Sequence, residues 1–344
     1  MSAPSLRDLA RTLGLSHTTV SEALRNSPRV SAATRQRVLK AARVAGYRAN
    51  PLAGALMSEM RRSRSGTFRG VLAVLDLDGP SRRPVNAARY HHELVRGASL
   101  RATELGFKTE PFVVDHGDIS ISRLDAILQS RGIHGIFLLP VSESPDLSQL
   151  DWSRYAGVYA DYIIEHPGLH CICSDHYRSM MMVLQRLEAL GYRRPGLVLN
   201  EHHDQRLLHR WEAAFQAYHN HHHAFTRLPP LVIPEISRTE FVVWFQATKP
   251  DVVLCHRAEA IGWMEECGAN VPRTHGFCCL NEMLNVIPCA GIDLQPRLLG
   301  IRGVELLIAQ LHRNEYGVPD TPLTTTLPAL WVDGPTLRPQ TKRR

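Results

Sequence analysis

Polar side chains crowd one face of a short predicted helix at residues 17–24, and their types suit hydrogen bonding to the edges of DNA bases. The outward members of this helix are His17, Thr18, Ser21 and Glu22. Ser16 is placed to cap its start, because a serine hydroxyl can accept a hydrogen bond from a backbone N–H of the first turn. In helix-turn-helix proteins the first residues of the second helix meet base edges in the major groove. The spacing therefore predicts a helix that enters DNA.

Two further predicted helices would hold this helix in place. The first is predicted from an apolar stripe with the spacing of a packed helical face, formed by Leu6, Leu9, Ala10 and Leu13. Gly14 ends that helix, and a third helix, capped by Ser31, is predicted over residues 32–45. The predicted core side chains of the third helix are Val38, Leu39 and Ala42. The pattern alone leaves open an ordinary three-helix bundle with a polar surface.

Positive charge is concentrated in the same segment. Residues 1–65 contain twelve Arg or Lys and three acidic residues, a net charge of +9, whereas the whole chain of 344 residues carries +7. The rest of the chain therefore sums to −2. A positive field confined to one small segment is what the neutralisation of DNA phosphates requires. The charge favours a DNA-binding head over an ordinary bundle.

A short stretch after these helices starts with a helix-compatible proline, Pro51, and ends in a basic run at residues 61–64. Residues of this stretch and of the three helices share a pattern with a known family. They are Leu6, Asp8, Ala10, Gly14, Ser16, Thr19, Val20, Ser21, Asn26, Val30, Ser31, Thr34, Arg35, Val38, Ala42, Gly46, Tyr47, Asn50, Pro51, Leu52 and Ala53. In this pattern the chain resembles the LacI/GalR family of bacterial transcription regulators.

The resemblance implies that the stretch is a hinge helix, two per dimer, which folds in the minor groove of operator DNA with Leu56 as a wedge. Apolar wedges of this kind unstack a base step and kink the duplex. A plain basic linker is the alternative interpretation. The predicted DNA-binding residues are Leu6, Ser16, His17, Thr18, Thr19, Ser21, Glu22, Arg25, Asn26, Asn50, Ala53 and Leu56.

Two residues of the second helix depart from the family pattern. The family often has an amide or an arginine where this chain has Thr18 and Glu22, so the operator preference of relatives does not carry over. Glu22 can accept a hydrogen bond from cytosine N4. It can equally pair with Arg25 or Arg7, because a carboxylate near phosphates is costly unless it is paired. Both roles of Glu22 stay open.

The rest of the chain alternates apolar runs with amphipathic stretches, which predicts parallel sheets covered by helices. The predicted strands are residues 70–75, 108–114, 135–139, 156–160, 195–199, 251–255 and 276–280, with helices over 93–105, 179–190 and 207–218. Spacings after Asp175 and Pro250 continue the family resemblance. It implies an α/β two-lobed, periplasmic-binding-protein-like core with parallel sheets, which closes on a small ligand and follows the all-α helix-turn-helix head and hinge helix.

The chain is therefore divided into three predicted segments. They are a helix-turn-helix DNA-binding domain at residues 1–49, a hinge helix and linker at 50–65, and an effector-binding and dimerisation core at 66–340. The N-lobe of the core would comprise residues 66–162 and 291–322, and the C-lobe residues 163–290 and 323–340. The chain would cross between the lobes near residues 161–170, 287–292 and 322–327.

The resemblance is weaker at the positions that would face the ligand. The predicted effector-binding residues are Asp161, His209, Arg210, His256, Arg257 and Asn281. Sugar-binding family members commonly have Asn-Asp at the positions of His256 and Arg257, and the family's cleft arginine aligns with either His209 or Arg210. Relative to that pattern the chain keeps one carboxylate, Asp161, and gains cations. These positions therefore predict that the ligand is a sugar derivative, for example an acidic sugar. A surface or core polar side chain is the alternative for each residue.

These patterns predict a homodimeric, sequence-specific transcription regulator, a repressor by resemblance, whose affinity for double-stranded operator DNA is modulated by a sugar-like effector. The sequence has no phosphate-loop, nucleophile-elbow or zinc-protease motif, so no enzymatic activity is predicted. The alternatives are an α/β sugar-metabolising enzyme fused to a DNA-binding head and a protein-interaction adaptor. The former would turn over a sugar with ATP, and the latter would lack salt-sensitive affinity for DNA.

Histidine and cysteine patterns add no cofactor or metal to the prediction. The histidine-rich run at residues 219–223 is interpreted as a helix end, because zinc sites show tighter spacing with defined partners. The seven cysteines lie mostly in apolar strand-like runs, which indicates buried reduced thiols. Without a signal peptide or long apolar span, a cytoplasmic location and no membrane partner are expected. The end of the chain lacks leucine heptads, so no tetramerising coiled coil is predicted.

Overall fold

The computed structural model describes residues 6–24, 30–45, 68–79, 85–114, 120–162 and 166–338. The chain divides into two compact units, Met1–Arg64 and Ser65–Arg344, which we call the head and the core. The predicted hinge at residues 50–65 lies outside the described residues. Within the described ranges, no helix combines the length and the apolar character that crossing a membrane requires.

Three short helices build the head. They are α1 (Leu6–Leu13), α2 (His17–Leu24) and α3 (Ala32–Val44). Gly14 adopts a left-handed φ of 65°, which suits glycine, and so ends α1 where the sequence predicts. Ser31 Oγ accepts from the Thr34 N–H at 3.3 Å and caps α3 as predicted. The buried apolar side chains of the head are Leu9, Ala10, Val20, Ala23, Val30, Val38 and Ala42.

One prediction about the core of the head is wrong. Leu39 was expected to be buried, but it is 42% exposed. The buried face of α3 runs through Val38 and Ala42, with Ala41 partly buried beside them. Because consecutive residues are about 100° apart around a helix, Leu39 falls outside that face and points towards solvent.

The first lobe of the core is built on a parallel six-stranded sheet with strand order β11-β5-β4-β3-β1-β2. Its strands are β1 (Gly70–Asp76), β2 (Phe107–Val113), β3 (Gly135–Leu138), β4 (Ala156–Tyr159), β5 (His170–Ser174) and β11 (Thr324–Leu327). Its helices are α4 (Val85–Glu104), α5 (Ile121–Arg131) and α11 (Pro296–Arg313). Gly97 and Gly300 let α4 and α11 approach closely, because a methyl group at either would overlap a backbone carbonyl of the other helix.

The second lobe has a six-stranded sheet of its own, with strand order β12-β10-β9-β8-β6-β7. All its pairs are parallel except that of β10 with β12. Its strands are β6 (Pro195–Asn200), β7 (Leu231–Ile233), β8 (Val252–Cys255), β9 (Gly276–Cys279), β10 (Ala290–Asp293) and β12 (Leu330–Val332). Its helices are α6 (His176–Ala189), α7 (Glu201–Arg206), α8 (Arg210–His221), α9 (Arg238–Thr248) and α10 (Ala260–Glu266).

The crossings between the sheets lie later in the chain than the sequence predicts. β5 pairs with β4, so the first crossing follows Ser174 rather than lying within residues 161–170. The second follows Asp293, because β10 still pairs with β9. The third follows Leu327, because β11 pairs with β5. These short strands lack the long apolar runs on which strand prediction depends.

Candidate nucleic-acid interface and interlobe ligand site

A serine cap fixes the start of α2, the predicted DNA-reading helix. The Thr19 N–H donates to Ser16 Oγ at 3.0 Å, and the hydroxyl oxygens of Ser16 and Thr19 lie 2.8 Å apart. This is the cap that the sequence predicts. It satisfies one backbone donor of the first turn and draws the Thr19 hydroxyl towards the cap.

The outward face of α2 carries the predicted polar side chains. Val20 and Ala23 are buried against the other two helices, whereas Thr18 is exposed and Ser21 and Glu22 are partly exposed. From α3, Arg37 Nη2 donates to the Leu13 carbonyl oxygen at 2.7 Å and so ties α3 to the end of α1. The head thus presents the polar start of α2 on a packed support.

All twelve predicted DNA-binding residues remain predictions. Five of them, Arg25, Asn26, Asn50, Ala53 and Leu56, lie outside the described residues. Leu6 and His17 belong to described helices, but their side chains are outside the described part.

The candidate ligand site of the core lies at the carboxyl ends of parallel strands, where open α/β sheets bind ligands. Asp161 follows β4 of the first lobe, and the backbone of Val141 and Ser142 follows β3. From the second lobe, α7 comes directly after β6 and brings Arg206. His256 follows β8 and Asn281 follows β9. Two rows of strand ends therefore face one another across a cleft.

An ion pair joins the two lobes across this cleft. Arg206 Nη1 lies 2.5 Å from Asp161 Oδ2, and the same nitrogen donates to the Val141 carbonyl oxygen at 3.1 Å. Only 17% of the Arg206 side chain and 8% of the Asp161 side chain are exposed. Burial raises the pKa of Asp161, while Arg206 and the backbone N–H of Tyr162 oppose that shift. A second cross-lobe bond runs from His202 Nε2 to the Ser142 carbonyl oxygen at 3.0 Å.

Two buried imidazoles, of His176 and His256, and the partly buried imidazole of His203 line the second-lobe side of the cleft. The rings of His203 and His256 have centroids 4.7 Å apart, and Trp211 contacts both His256 and His176, at 5.6 and 4.9 Å. Burial lowers the pKa of His176 to about 3 and that of His256 to about 4, and the Arg206 charge adds to both shifts. Burial also holds the pKa of His203 well below its usual range. All three rings are therefore neutral at pH 7, so each offers one donor and one acceptor.

Several polar atoms of the site have no hydrogen-bond partner among the described residues. They are both ring nitrogens of His256, Nδ1 of His176 and the side-chain oxygen of Asn281. Buried polar groups in folded proteins are normally bonded, so each such atom calls for an explanation. A ligand with several hydroxyl groups would satisfy them.

Two adjoining cavities provide the space. The inner cavity, of about 100 Å³, is lined by Asp161, His176, Arg206 and Asn281 among others. The outer chamber, of about 880 Å³, is lined by His256 and Arg257 together with apolar side chains. His203 and Arg206 line both cavities. The apolar residues of the outer chamber include Ile236, Met283, Leu284, Val286 and Ile287.

Four of the six predicted effector-binding residues, Asp161, His256, Arg257 and Asn281, line these cavities. His209 and Arg210 line neither: His209 has 57% of its side chain exposed, and Arg210 stacks over the Tyr162 ring at 4.2 Å. Arg206, which sequence reasoning missed, lines both cavities. Left-handed φ angles at Leu208 and His209 separate α7, which ends at Arg206, from α8, which begins at Arg210.

The predicted cationic character of the cleft also changes. Arg257 Nη1 donates to the Ile236 carbonyl oxygen at 3.0 Å, and its Nε lies 3.7 Å from Glu259 Oε2. The Arg206 charge is matched by Asp161. Arg206 and Arg257 are therefore already engaged. Among the described residues, no Asp, Glu, Arg or Lys other than Asp161 and Arg206 lines the inner cavity, whereas the outer chamber is also lined by Asp78, Arg89, Glu235 and Glu259.

Comparison with known sequences assigns the head. Residues 5–50 match the family described as bacterial regulatory proteins, lacI family. The head therefore matches the DNA-binding domain of the lacI family. The HTH-type transcriptional regulator AglR of Rhizobium meliloti (strain 1021) is 56% identical over 74 residues, 22% of this chain and 20% of AglR. The HTH-type transcriptional regulator DegA of Bacillus subtilis (strain 168) is 28% identical over 142 residues, 41% of this chain and 38% of DegA. These matches span well under half of either relative.

Comparison with solved structures extends the likeness to the whole fold. The transcriptional regulator CelR in complex with cellobiose has a TM-score of 0.58 at 19% identity, covering 97% of this chain and 99% of CelR. The lac repressor dimer bound to operator and the anti-inducer ONPF has a TM-score of 0.57 at 18% identity, covering 98% and 100%. The LacI-family head is thus followed by a core with the fold of LacI-like regulators.

Proposed function

We propose that this protein is a homodimeric, sequence-specific DNA-binding transcription regulator of repressor type, whose operator affinity is modulated by a small effector in the interlobe cleft. The observation that carries the proposal is the LacI-family head with its capped, outward-facing α2. The net charge of +9 in residues 1–65 supports it, because phosphate contacts by Arg and Lys supply most of the non-specific affinity for DNA.

Two heads of a dimer would read the two halves of one operator. A two-fold symmetric dimer requires a site with matching two-fold symmetry, so we expect a near-palindrome. In each half-site the start of α2 would lie in the major groove, with Thr18, Ser21 and Glu22 towards the bases. The hinge with Leu56 would enter the minor groove between the half-sites.

The effector is proposed to be an uncharged sugar or sugar derivative. Neutral imidazoles and the Asn281 amide offer donors and acceptors without net charge. The charge of Arg206 is already matched by Asp161, so nothing in the inner cavity calls for an acidic group. Among fold relatives, CelR is in complex with cellobiose and the lac repressor with ONPF.

Effector binding would act on the angle between the lobes. Arg206 and His202 already bond across the cleft, so the closed arrangement rests on a few polar contacts. A ligand that bonds to both lobes adds contacts only in the closed state and shifts the equilibrium towards it. Coupling between effector and DNA is then reciprocal and typically amounts to about 1 to 3 kcal/mol.

Selection of genomic DNA fragments by the full-length protein would test the DNA-binding part. We expect a near-palindromic site whose affinity for the protein falls steeply with salt, while a chain without salt-sensitive affinity for DNA would fit the adaptor interpretation.

Calorimetry with neutral sugars and the matching uronates would test the proposed class of effector. Tight binding of a uronate that is lost in Arg257→Ala would overturn the uncharged ligand and leave the DNA-binding role intact.

A further inference from the structure

A second polar cluster lies outside the cleft, at the corner between α7 and α8. Asp204, His209 and Glu212 each bring one potential metal-ligating atom, and these three atoms all lie within 4.8 Å of one another. Asp204 is 1% exposed, Glu212 is partly exposed, and 57% of the His209 side chain is exposed. The cluster opens to solvent on the His209 side, which would give an ion access.

One of the two carboxylate oxygens of Asp204 already has a hydrogen-bond partner. Its Oδ1 accepts from the Trp211 N–H at 3.1 Å and so holds the start of α8. Its Oδ2 is buried and has no hydrogen-bond partner among the described residues. His209 Nδ1 is 3.8 Å from Oδ2, which is too long for a hydrogen bond. A buried carboxylate oxygen is thus left facing the other two side chains.

The neighbouring groups act on the Asp204 carboxylate in opposite directions. Burial and the Glu212 charge raise the pKa of Asp204, whereas the backbone N–H groups of Trp211 and Glu212 lower it. Gln216 Nε2 donates to Glu212 Oε1 at 2.7 Å, which orients that carboxylate. Two carboxylates with one imidazole attract a cation, since a buried charge without a partner is destabilising.

The backbone holds the three side chains together before any ion arrives. The His209 N–H donates to the Asp204 carbonyl oxygen at 2.8 Å, which closes the turn between the two helices. Leu208 and His209 both have left-handed φ angles, of 57° and 54°. Coordinating atoms of a tetrahedral zinc ion are about 3 to 4 Å apart, so side-chain rotations of the exposed His209 and the partly exposed Glu212 would complete the set.

We propose that Asp204 Oδ2, His209 Nδ1 and the Glu212 carboxylate form a binding site for a divalent transition-metal ion such as Zn²⁺. Carboxylate and imidazole are ligands that zinc accepts, and solvent would supply the fourth position. The ion would join the end of α7, which carries Arg206, to the first turn of α8. This site includes no residue of the head or of the two cavities, so it stands apart from the proposed effector site.

Zinc binding by the full-length, untagged protein tests the proposal. The test variants are His209→Asn, because asparagine tolerates a left-handed φ, and Glu212→Gln, which keeps the partner of Gln216. The control is His221→Gln with His223→Gln, since exposed histidines at the end of α8 are the main alternative zinc ligands. Affinity is measured by competition with a fluorescent zinc chelator, and the melting temperature is measured with Zn²⁺ and with EDTA.

We expect one zinc ion per chain in the wild type and in the control, with a higher melting temperature in Zn²⁺ than in EDTA. Each test variant should bind zinc at least about tenfold more weakly and lose the temperature shift. Circular dichroism of the metal-free variants separates loss of zinc from loss of fold. Equal zinc affinity in all variants, loss only in the control, or no zinc retained by the wild type at micromolar concentration would each overturn the proposal.

Discussion

Arg206 Nη1 in the second lobe lies 2.5 Å from Asp161 Oδ2 in the first, and this ion pair is largely buried. The two residues belong to different lobes, since Asp161 follows β4 and Arg206 ends α7 after β6. The distance between the two side chains therefore depends on the angle between the lobes. It also stands beside the neutral imidazoles and amide that we propose to bind the effector.

Removing Arg206 should cost more stability than removing both partners of the pair. Arg206→Ala leaves Asp161 buried without its cation, and breaking a buried pair from one side typically costs about 3 to 5 kcal/mol. The double variant Asp161→Asn, Arg206→Ala removes both charges and should be less destabilised than Arg206→Ala alone. Urea unfolding of the single and double variants measures the coupling between the two residues.

Arg313→Ala is the matched control, because its pair with Glu315 is more than half exposed on the arginine side. Such exposed pairs contribute little, so this variant should unfold close to the wild type. Additive effects of Asp161→Asn and Arg206→Ala would show that the two side chains do not act as a pair.

Acid should destabilise the core through its buried histidines. The pKa of His256 is about 4 and that of His176 about 3 in the folded chain, against about 6.5 when unfolded. The unfolded state therefore binds more protons below pH 6.5, so the stabilisation present above that pH is lost as pH falls towards 4. For His256 alone the shift corresponds to about 3 kcal/mol.

His256→Gln should flatten this pH dependence. The variant removes one of the titrating groups while His176, His203 and Arg206 remain, so part of the slope between pH 6.5 and 4 persists. Melting temperatures of the wild type and the variant across this range provide the comparison. Parallel curves for the two proteins would mean that His256 does not contribute to the acid sensitivity.

Loss of the α2 cap should weaken the head. Ser16→Ala removes the acceptor of the Thr19 N–H, and such caps are worth about 1 kcal/mol. DNA affinity should fall in parallel for operator and unrelated sequences, because fewer heads are folded.

Thr18→Ala is the partner experiment. The exposed side chain of Thr18 is not part of the core, so this variant should change sequence preference with little change in head stability. Fluorescence anisotropy on both DNAs, with thermal unfolding of each variant, distinguishes the two effects.

Leu56→Ala tests the predicted minor-groove wedge, which lies outside the described residues. The side chain should contribute mainly where the duplex is kinked, so specific operator binding should fall by at least about tenfold while non-specific binding is nearly unchanged. Binding to the operator and to unrelated DNA of equal length is measured at one salt concentration. An equal loss on both DNAs would remove the wedge role.

Local signals predicted much of the fold. Ser16 and Ser31 cap the helices that they were expected to cap, and all seven predicted strands are present with small shifts of their ends. Five of the twelve described strands were missed, namely β5, β7, β10, β11 and β12, and two of them show the physical reason. β5 contains His170 and two cysteines, and β11 is an exposed edge strand of threonines, so neither has the apolar run of a buried strand.

The site was harder to predict because its geometry depends on distant parts of the chain. Asp161 could be found from its resemblance to a family position, and the structure places it in the cleft. Arg206 was missed, since only the turn at Leu208 and His209 makes α7 a separate helix. His176 and His203 gave no signal of their own, because their burial beside His256 arises from the packing of three elements.

The most direct test of the central claim is an operator titration of the full-length protein, at fixed salt, with and without saturating effector. The account predicts a change in operator Kd of about 5- to 150-fold, and an equal change in effector affinity when operator is bound. Arg206→Ala should abolish the effect of the effector. An operator Kd that is unchanged by an effector shown by calorimetry to bind in the cleft would contradict the account.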